Sequence, residues 1–470
     1  MESVHAEPQT LVIRSPHDVY AFVNAQKEGA PALKWLLLAT LGSFFIDGHD
    51  LTGFGIAVPT AARFFHLGPV QIGALSSTVA LGAMIAAIAG GYFVDKIGRL
   101  RMFILDLFCF VVAAIVGAFT NSYAVLLLCR FAMGIGIGLD VPAAYSFIVE
   151  YTALTHKRRT ANRYLVFLYY AQLFSYGSAI LFFLAGAGPN LWRWVVGIGA
   201  LPALILVVVR YLYMQESPFW LASRGDLEGA AKILERMYGV KVTVESSARP
   251  TSPALSRYLN YGSLFTREYL ARTVSAGAIN ILQSIEFFAI GFYVPVIAGI
   301  LFRHSPYVVV LLGAAIFSVI GLIGSTLSSY TVENLGIRRQ TLIGYLVQML
   351  ALLAIGLVGQ GIPALLAEAL IGVFFLSHTF GPGQNGVTMS ALSYPTEIRG
   401  AGTGFSYGIG RAGSFIGTFF FPLLLSHGGL VHALLWTAVV PLVGLLVLLA
   451  IRWDPTGAEV DVAPAAGQSL

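Results

Sequence analysis

Hydrophobic positions in this chain come in long unbroken runs, not in the short alternations of a soluble sheet or the one-sided stripes of a surface helix. Runs of about 20 apolar residues, enough for a helix to cross a bilayer, are centred near residues 46, 82, 112, 136, 173, 203, 284, 318, 348, 376, 412 and 441. Their continuity argues against a β-barrel, whose strands alternate apolar and polar positions. The pattern predicts an all-α membrane protein with twelve transmembrane helices. One longer polar stretch, 215–268, separates six spans from six. Within it, Gly225 to Arg236 has helical apolar spacing with acids ahead of bases, which predicts a short surface helix, followed by a linker at 246–253. The predicted organisation is a polar N-terminal segment (1–33), a first six-helix half (34–214), the connector with its short helix (215–268), a second half (269–453) and an Ala/Pro-rich tail (454–470) expected to be disordered.

Composition agrees. The chain holds 28 Lys and Arg and 23 Asp and Glu in 470 residues, 11% charged, far below the roughly 25% of a soluble domain. The mean hydropathy is +0.78. Cys109 and Cys129 lie inside apolar runs and read as small hydrophobes, with neither a disulfide nor a metal site expected. The net charge of +5 is read as basic cytoplasmic loops and not as nucleic-acid binding. Lys96, Arg99 and Arg101, then Lys157, Arg158, Arg159 and Arg163, then Arg338 and Arg339, and finally Arg399 all fall between an even span and the next odd one. The opposite loops hold only Arg63, Arg193 and Arg303. That bias predicts both termini in the cytoplasm of a multi-pass protein of the cell (inner or plasma) membrane. The opening 30 residues are mixed and polar, so no secretory signal peptide is expected there.

The halves share a faint repeat at an offset of 238: Tyr92 to Gly98 aligns with Tyr330 to Gly336, and Arg130 and Gly134 fall on Glu368 and Gly372. Repeated halves about a central site are a transporter feature. The first copy, Gly91-Tyr92-Phe93-Val94-Asp95-Lys96-Ile97-Gly98-Arg99-Leu100-Arg101, places an acid, a glycine and bases in a tight turn between spans 2 and 3. Such charges can meet helix ends and neighbouring acids, forming a latch that holds in one state and breaks in another.

This turn resembles the loop 2–3 motif of the major facilitator superfamily. Arg130-Phe131-Ala132-Met133-Gly134-Ile135-Gly136-Ile137-Gly138 resembles that family's span 4 motif. Gln215-Glu216-Ser217-Pro218-Phe219-Trp220-Leu221 and Tyr394-Pro395-Thr396-Glu397-Ile398-Arg399-Gly400 resemble the segments after spans 6 and 10 of sugar porters and related metabolite–proton symporters. The resemblance covers about residues 35–452 and implies two pseudo-symmetric six-helix halves that rock about a midplane site. It also implies a gating set: Gly91, Asp95, Lys96, Gly98, Arg99, Arg101, Arg130, Glu150, Glu216, Glu333, Arg338, Glu397 and Arg399. Gln215, Phe219 and Leu100 depart from the family pattern, where Pro, Arg and Arg are usual.

Ionisable residues inside spans cost about 2.5–3.5 kcal/mol each on insertion scales and so mark candidate chemistry. Span 1 carries Asp47-Gly48-His49-Asp50, with the acids three apart on one helix face. Two close carboxylates repel, a pairing suited to carrying a proton. The pattern resembles the span 1 motif of aromatic-acid and other metabolite–proton symporters. Asp140, beside Pro142, resembles an acid of phosphate–proton symporters; it is read as a second proton site, a substrate contact or a partner of Arg130. Asn280, Gln283 and Glu286 recur at three-residue steps in span 7, where hydrogen-bonding groups suit a polar substrate and Glu286 could carry a proton; interhelical bonding is the alternative. Arg411 lies deep in span 11 and must face a cavity or an acid; a guanidinium there grips carboxylates through two bonds. His378, Gln384 and Asn385 in span 10 and Tyr170 in span 5 complete the substrate candidates.

Two strings are set aside. Gly408-Ile409-Gly410-Arg411-Ala412-Gly413 fits a dinucleotide-binding pattern and Gly404-Phe405-Ser406-Tyr407-Gly408 a hydrolase one, but both need a strand that an apolar span lacks. No ATP-binding loop and no metal-ligand spacing occurs, so no cofactor and no enzyme activity are expected. The expected function is proton-coupled symport of a small organic acid, with the substrate, protons and the bilayer as partners and a monomer as the working unit. Sugar or polyol symport, phosphate symport, uniport and a non-transporting receptor are the alternatives.

Overall fold

The computed structural model describes residues 10–25, 33–151, 164–245, 261–294, 297–298, 306–359 and 362–456. Each of the twelve predicted centres falls within a helix. Spans 1 to 5 are Leu33–Phe64, Pro69–Ile97, Arg99–Phe119, Tyr123–Tyr151 and Tyr164–Leu184. Span 6 is broken into Leu191–Ile198 and Ala200–Tyr213. Spans 7 to 9 are Leu270–Ile290, Tyr307–Leu335 and Ile337–Val358. Span 10 bends at Gly381, between Ala364–Phe380 and Pro382–Ala391. A final helical run, Thr396–Thr437, turns at Gly429 (φ 72°) and continues as Val439–Ala450, making spans 11 and 12.

Among the described residues nine of these helices are long and apolar enough to cross a membrane on composition alone. Spans 1, 2 and 11 are the exceptions. Span 1 holds two aspartates and a histidine, and span 11 is diluted by glycines, serines and Arg411. A helix that faces protein does not need an apolar surface all round.

The packing shows the internal symmetry directly. In the first half, span 1 packs on spans 4, 5 and 6, span 2 on span 4, and span 3 on spans 4 and 6. In the second half, span 7 packs on spans 10, 11 and 12, span 8 on span 10, and span 9 on spans 10 and 12. Adding six to each span number converts one set into the other. The main contacts between halves, span 2 on span 11 and span 5 on span 8, also exchange under this operation. Small residues allow the closest approaches. A Cβ on Gly134 or Gly138 would lie 2.3 or 2.4 Å from a span 2 carbonyl oxygen, and one on Gly413 or Gly417 2.3 or 2.2 Å from a span 7 carbonyl. The glycines of the span 4 motif and those at 410 and 413 in span 11 thus serve helix packing.

The termini-side face adds an element that hydropathy does not mark. Strand β1 (Thr10–Ile13) pairs in parallel with β2 (Lys241–Val244), and Arg14 joins Glu245 at 2.9 Å. The helix Pro16–Ala25 packs Val19, Tyr20 and Val23 against Phe219, Ala222 and the apolar face of Leu227–Tyr238. That last helix is the one predicted from the charge pattern, capped by Asp226. Among the described residues the chain is therefore helical with one four-residue strand pair, and part of the N-terminal segment is folded onto the connector. The linker at 246–253 and the tail beyond 456 lie outside the described residues.

Candidate functional site

A cavity with about 660 Å³ of empty space, open solvent at its mouth included, lies between the two halves. Spans 1 and 5 contribute Phe44, Asp47, Leu51, Leu165, Leu168 and Tyr169. Spans 7, 10 and 11 contribute Gln283, Ser284, Phe287, Phe288, His378, Gly383, Val387, Tyr407, Gly410 and Arg411. Polar groups of both signs therefore face one largely apolar space, the usual composition of a small-molecule site. Leu51, Leu168, Phe287 and Phe288 also line a second space that runs on past Thr52, Gln172 and Tyr176, so these four form a partition between the two.

The first half surrounds Asp47 with charge. Asp50 forms a buried ion pair with Arg130 of span 4, whose guanidinium also lies 3.8 Å from the centre of the Phe54 ring. A layer nearer the termini holds a second network, around Arg210 of span 6. This guanidinium bonds Asp106 at 3.0 and 3.2 Å, Asp140 at 3.0 Å, the Phe103 carbonyl at 2.6 Å, and Ser43. Ser43 in turn donates to Asp140 at 2.7 Å. A small void joins Ser43, Asp47, Asp106 and Asp140. Asp47 thus lines both this void and the central cavity, within electrostatic reach of Asp140, Arg411, Asp50 and Arg210. Among the described residues it has no ion pair of its own.

In the second half the cavity wall carries His378. Its Nδ1 lies 3.0 Å from Glu286 Oε1, and Gln348 Nε2 donates to the same oxygen at 2.8 Å. The imidazole stacks on Phe287 with centroids 5.0 Å apart. Arg411 contacts the Tyr407 hydroxyl and lies 4.6 Å from that ring's centre.

The latch predicted at loop 2–3 takes a specific form. Glu216 accepts the backbone N–H of Arg99 at 3.0 Å and of Leu100 at 3.2 Å, so the carboxylate caps the N-terminus of span 3. Arg99 is fully buried, the Lys96 carbonyl accepts from Arg224, and Arg101 is exposed. In the second half Asp454 accepts the Arg338 N–H at 3.3 Å, and the Arg338 guanidinium donates to the Leu448 carbonyl at 2.7 and 3.1 Å. Glu333 is half-buried at the end of span 8, and Arg399 is buried and donates to the Ala391 carbonyl. The surroundings of Gly91 and the side chains of Asp95, Glu150 and Glu397 lie outside the described residues, as do Lys157, Arg158, Arg159 and Arg163.

The structure brings Asp47, Gln283, His378 and Arg411 to one cavity, with Asp50 and Glu286 one layer behind. Other candidates lie elsewhere. Among the described residues Arg130 pairs with Asp50, and Asp140 pairs with Arg210 and not with Arg130. Asn280 bonds Ser406 at 2.7 Å between spans 7 and 11. Gln384 bonds Ser325 and Ser329, and Asn385 bonds Gln340 and Thr341, so both tie span 10 to its neighbours. Tyr170 is 51% exposed on the outer surface, whereas its neighbour Tyr169 is buried and lines the cavity. Sequence reasoning passed over Asp106 and Arg210; the signal was there, since each is an ionisable residue inside an apolar run.

A cavity between two pseudo-symmetric helical halves, lined by intramembrane ionisable groups, defines a multi-pass membrane transporter. The chain belongs to the sugar (and other) transporter family, which matches residues 36–451, and it shares the fold of the major facilitator superfamily. It is similar to the putative metabolite transport protein YaaU of Escherichia coli, at 28% identity over 429 residues covering 90% of this chain and 92% of that one. It is also similar to the 4-hydroxybenzoate transporter PcaK of Pseudomonas aeruginosa, at 23% identity, covering 90% and 93%. Among solved structures it resembles the proton:xylose symporter XylE of E. coli bound to 6-bromo-6-deoxy-D-glucose, with a TM-score of 0.77 and 17% identity over 92% of this chain and 98% of that chain.

Proposed function

We propose that this transporter is a proton-coupled symporter of a small organic acid. The observation that carries the reading is the placement of Arg411 and Asp47 in one mostly apolar cavity. Arg411 brings to the cavity wall a guanidinium, the group that recognises carboxylates, the aromatic and aliphatic wall accepts the body of the molecule, and Asp47 and the Asp50–Arg130 pair supply proton-binding groups beside it. The likeness to a 4-hydroxybenzoate transporter supports an acid with an apolar body. The likeness to a proton symporter supports the coupling. Substrate and proton together reduce the charge in the cavity, which lets the halves close over it and rock. The basic loops support a cell-membrane protein with both termini on the cytoplasmic side, and in this reading 34–214 and 269–453 are the moving halves.

Uptake into proteoliposomes under an imposed pH gradient tests this. A carboxylate such as 4-hydroxybenzoate or benzoate should accumulate when the outside is acidic. Asp47→Asn should abolish pH-driven uptake, and Arg411→Ala should raise the half-saturation constant for acids. Normal pH-driven uptake by Asp47→Asn would remove the proton role, and accumulation of sugars alone would move the substrate class.

A further inference from the structure

We infer that His378 and Glu286 form a second proton-binding element, one that turns the wall of the anion site from acceptor to donor. The inference rests on the organic-acid reading above and adds to it a residue pair in the opposite half from Asp47 and Asp50.

Glu286 is fully buried, and its Oε2 has no hydrogen-bond partner among the described residues. No Lys or Arg pairs with it there; the one ionisable neighbour within ion-pair distance is His378. An unpaired carboxylate inside a membrane protein is costly, so its charge state is tied to the imidazole. Gln348 donates to Oε1 and cannot take up a proton itself. His378 turns Nδ1 to Glu286 Oε1, with Gln348 Nε2 3.2 Å from the same nitrogen, which leaves Nε2 on the opposite edge of the ring. Gly383 makes room for that edge of the ring: a Cβ at 383 would stand 2.4 Å from Nε2. Both His378 and Gly383 line the cavity.

Two states follow from the bonding rules of imidazole. Without the extra proton, Glu286 is a carboxylate, Nδ1–H donates to it, and Nε2 presents a lone pair to the cavity, which repels an anion. When the pair takes up one proton, that proton sits on Nε2, and the one already between Nδ1 and Oε1 stays on Nδ1 or passes to Oε1. In either case Nε2 now carries hydrogen and donates into the cavity. A carboxylate held by Arg411 then gains a second donor, and each bound anion brings one proton onto this pair. The other groups facing it are Tyr345 on span 9, Tyr407 and Arg411 on span 11, Asp47 on span 1 and Tyr169 on span 5. Asp47 supplies a separate pH dependence from across the cavity.

The test is melting-shift titration of the purified full chain with benzoate, succinate and glucose between pH 5 and pH 8, for wild type, His378→Gln, Glu286→Gln and Arg411→Ala. Gln at 378 donates at every pH, and Gln at 286 no longer forces Nε2 to accept. Both variants should therefore bind carboxylates with a log affinity whose slope against pH is shallower than wild type by about one unit, the tenfold per pH unit of one linked proton. Arg411→Ala should weaken carboxylate binding and keep the slope. Two independent variants guard against a loss of folding in one of them, and a purely structural bond would leave the slope untouched. Wild-type slopes in both His378→Gln and Glu286→Gln, with carboxylate binding still lost in Arg411→Ala, would overturn the inference and leave the anion reading standing. A response to glucose alone would remove the anion reading, and this pair with it.

Discussion

Glu216 and Asp454 stand 238 positions apart, the offset of the internal repeat, and perform the same task in the two halves. Each carboxylate follows the last helix of its half and accepts backbone N–H groups at the start of that half's third helix: Arg99 and Leu100 for Glu216, Arg338 for Asp454. The glycine before each of those helices leaves room for the acid. Gly98 and Gly336 have φ of 109° and 79°, and a Cβ at either would approach its carboxylate, to 2.3 Å at Gly98 and 3.1 Å at Gly336. The pair is a helix cap made across sequence, and it anchors the outer helices of each half on the termini side.

Alanine at these glycines should therefore hurt unequally. Both backbones have ψ near 160° at positive φ, a region reserved for glycine, so each substitution should cost on the order of 1–3 kcal/mol. Gly98→Ala also collides with Glu216 and should lower the melting temperature more than Gly336→Ala does. Equal losses would mean that backbone strain alone sets the cost.

The cap in the first half should make stability depend on pH. Burial pushes the Glu216 carboxyl above its usual value, against the bonds from Ser217, Arg99 and Leu100 and the charge of Arg99, which pull it down. An acid that holds its proton more tightly folded than unfolded leaves the folded state with more protons bound in that window. Its contribution to stability then falls as pH rises through the window. Glu216→Gln should flatten the melting temperature between pH 4.5 and neutrality relative to wild type. A steeper profile in the variant would show that the bonding outweighs the burial.

Arg210 balances two buried acids. Arg210→Met would leave Asp106 and Asp140 without their cation, a loss of about 3–5 kcal/mol by the behaviour of broken buried pairs. Adding Asp106→Asn to Arg210→Met should recover part of that loss, because one uncompensated charge is removed. Additive losses in a double-mutant cycle would argue against the network.

Span 5 offers a paired control. Tyr169→Leu removes a cavity-lining ring and should raise the half-saturation constant for substrate several-fold. Tyr170→Leu alters an outward, half-exposed ring and should leave uptake unchanged, with stability within about 0.5 kcal/mol. Uptake of small labelled acids by the two variants, side by side, separates cavity from lipid-facing surface.

All twelve helices were legible because bilayer thickness imposes a length and an apolar composition on every span. The same rule exposed Asp47, Asp50, Asp140, Glu286 and Arg411, since a charge in an apolar run must have a reason to be there. It exposed Asp106 and Arg210 equally, but nothing in sequence indicated that spans 3, 4 and 6 converge on one guanidinium. Nor could hydropathy mark β1 and β2, whose four-residue strands are too short to carry a periodicity and pair across more than 200 positions. Tyr169 and Tyr170 show the limit most clearly. They are adjacent and chemically identical, and only the rotation of span 5 puts one in the cavity and the other on the outer surface.

A polytopic helical membrane protein with two related halves can be read from the residues in order, because solvation by lipid and a repeated motif leave their mark residue by residue. Which charges meet is set by the folded packing: Asp50 with Arg130, Asp140 with Arg210, Glu286 with His378, Glu216 with the start of span 3. Those pairings depend on helix rotation and depth, set by glycine contacts and side-chain packing between spans distant in sequence, and no single run of residues encodes them.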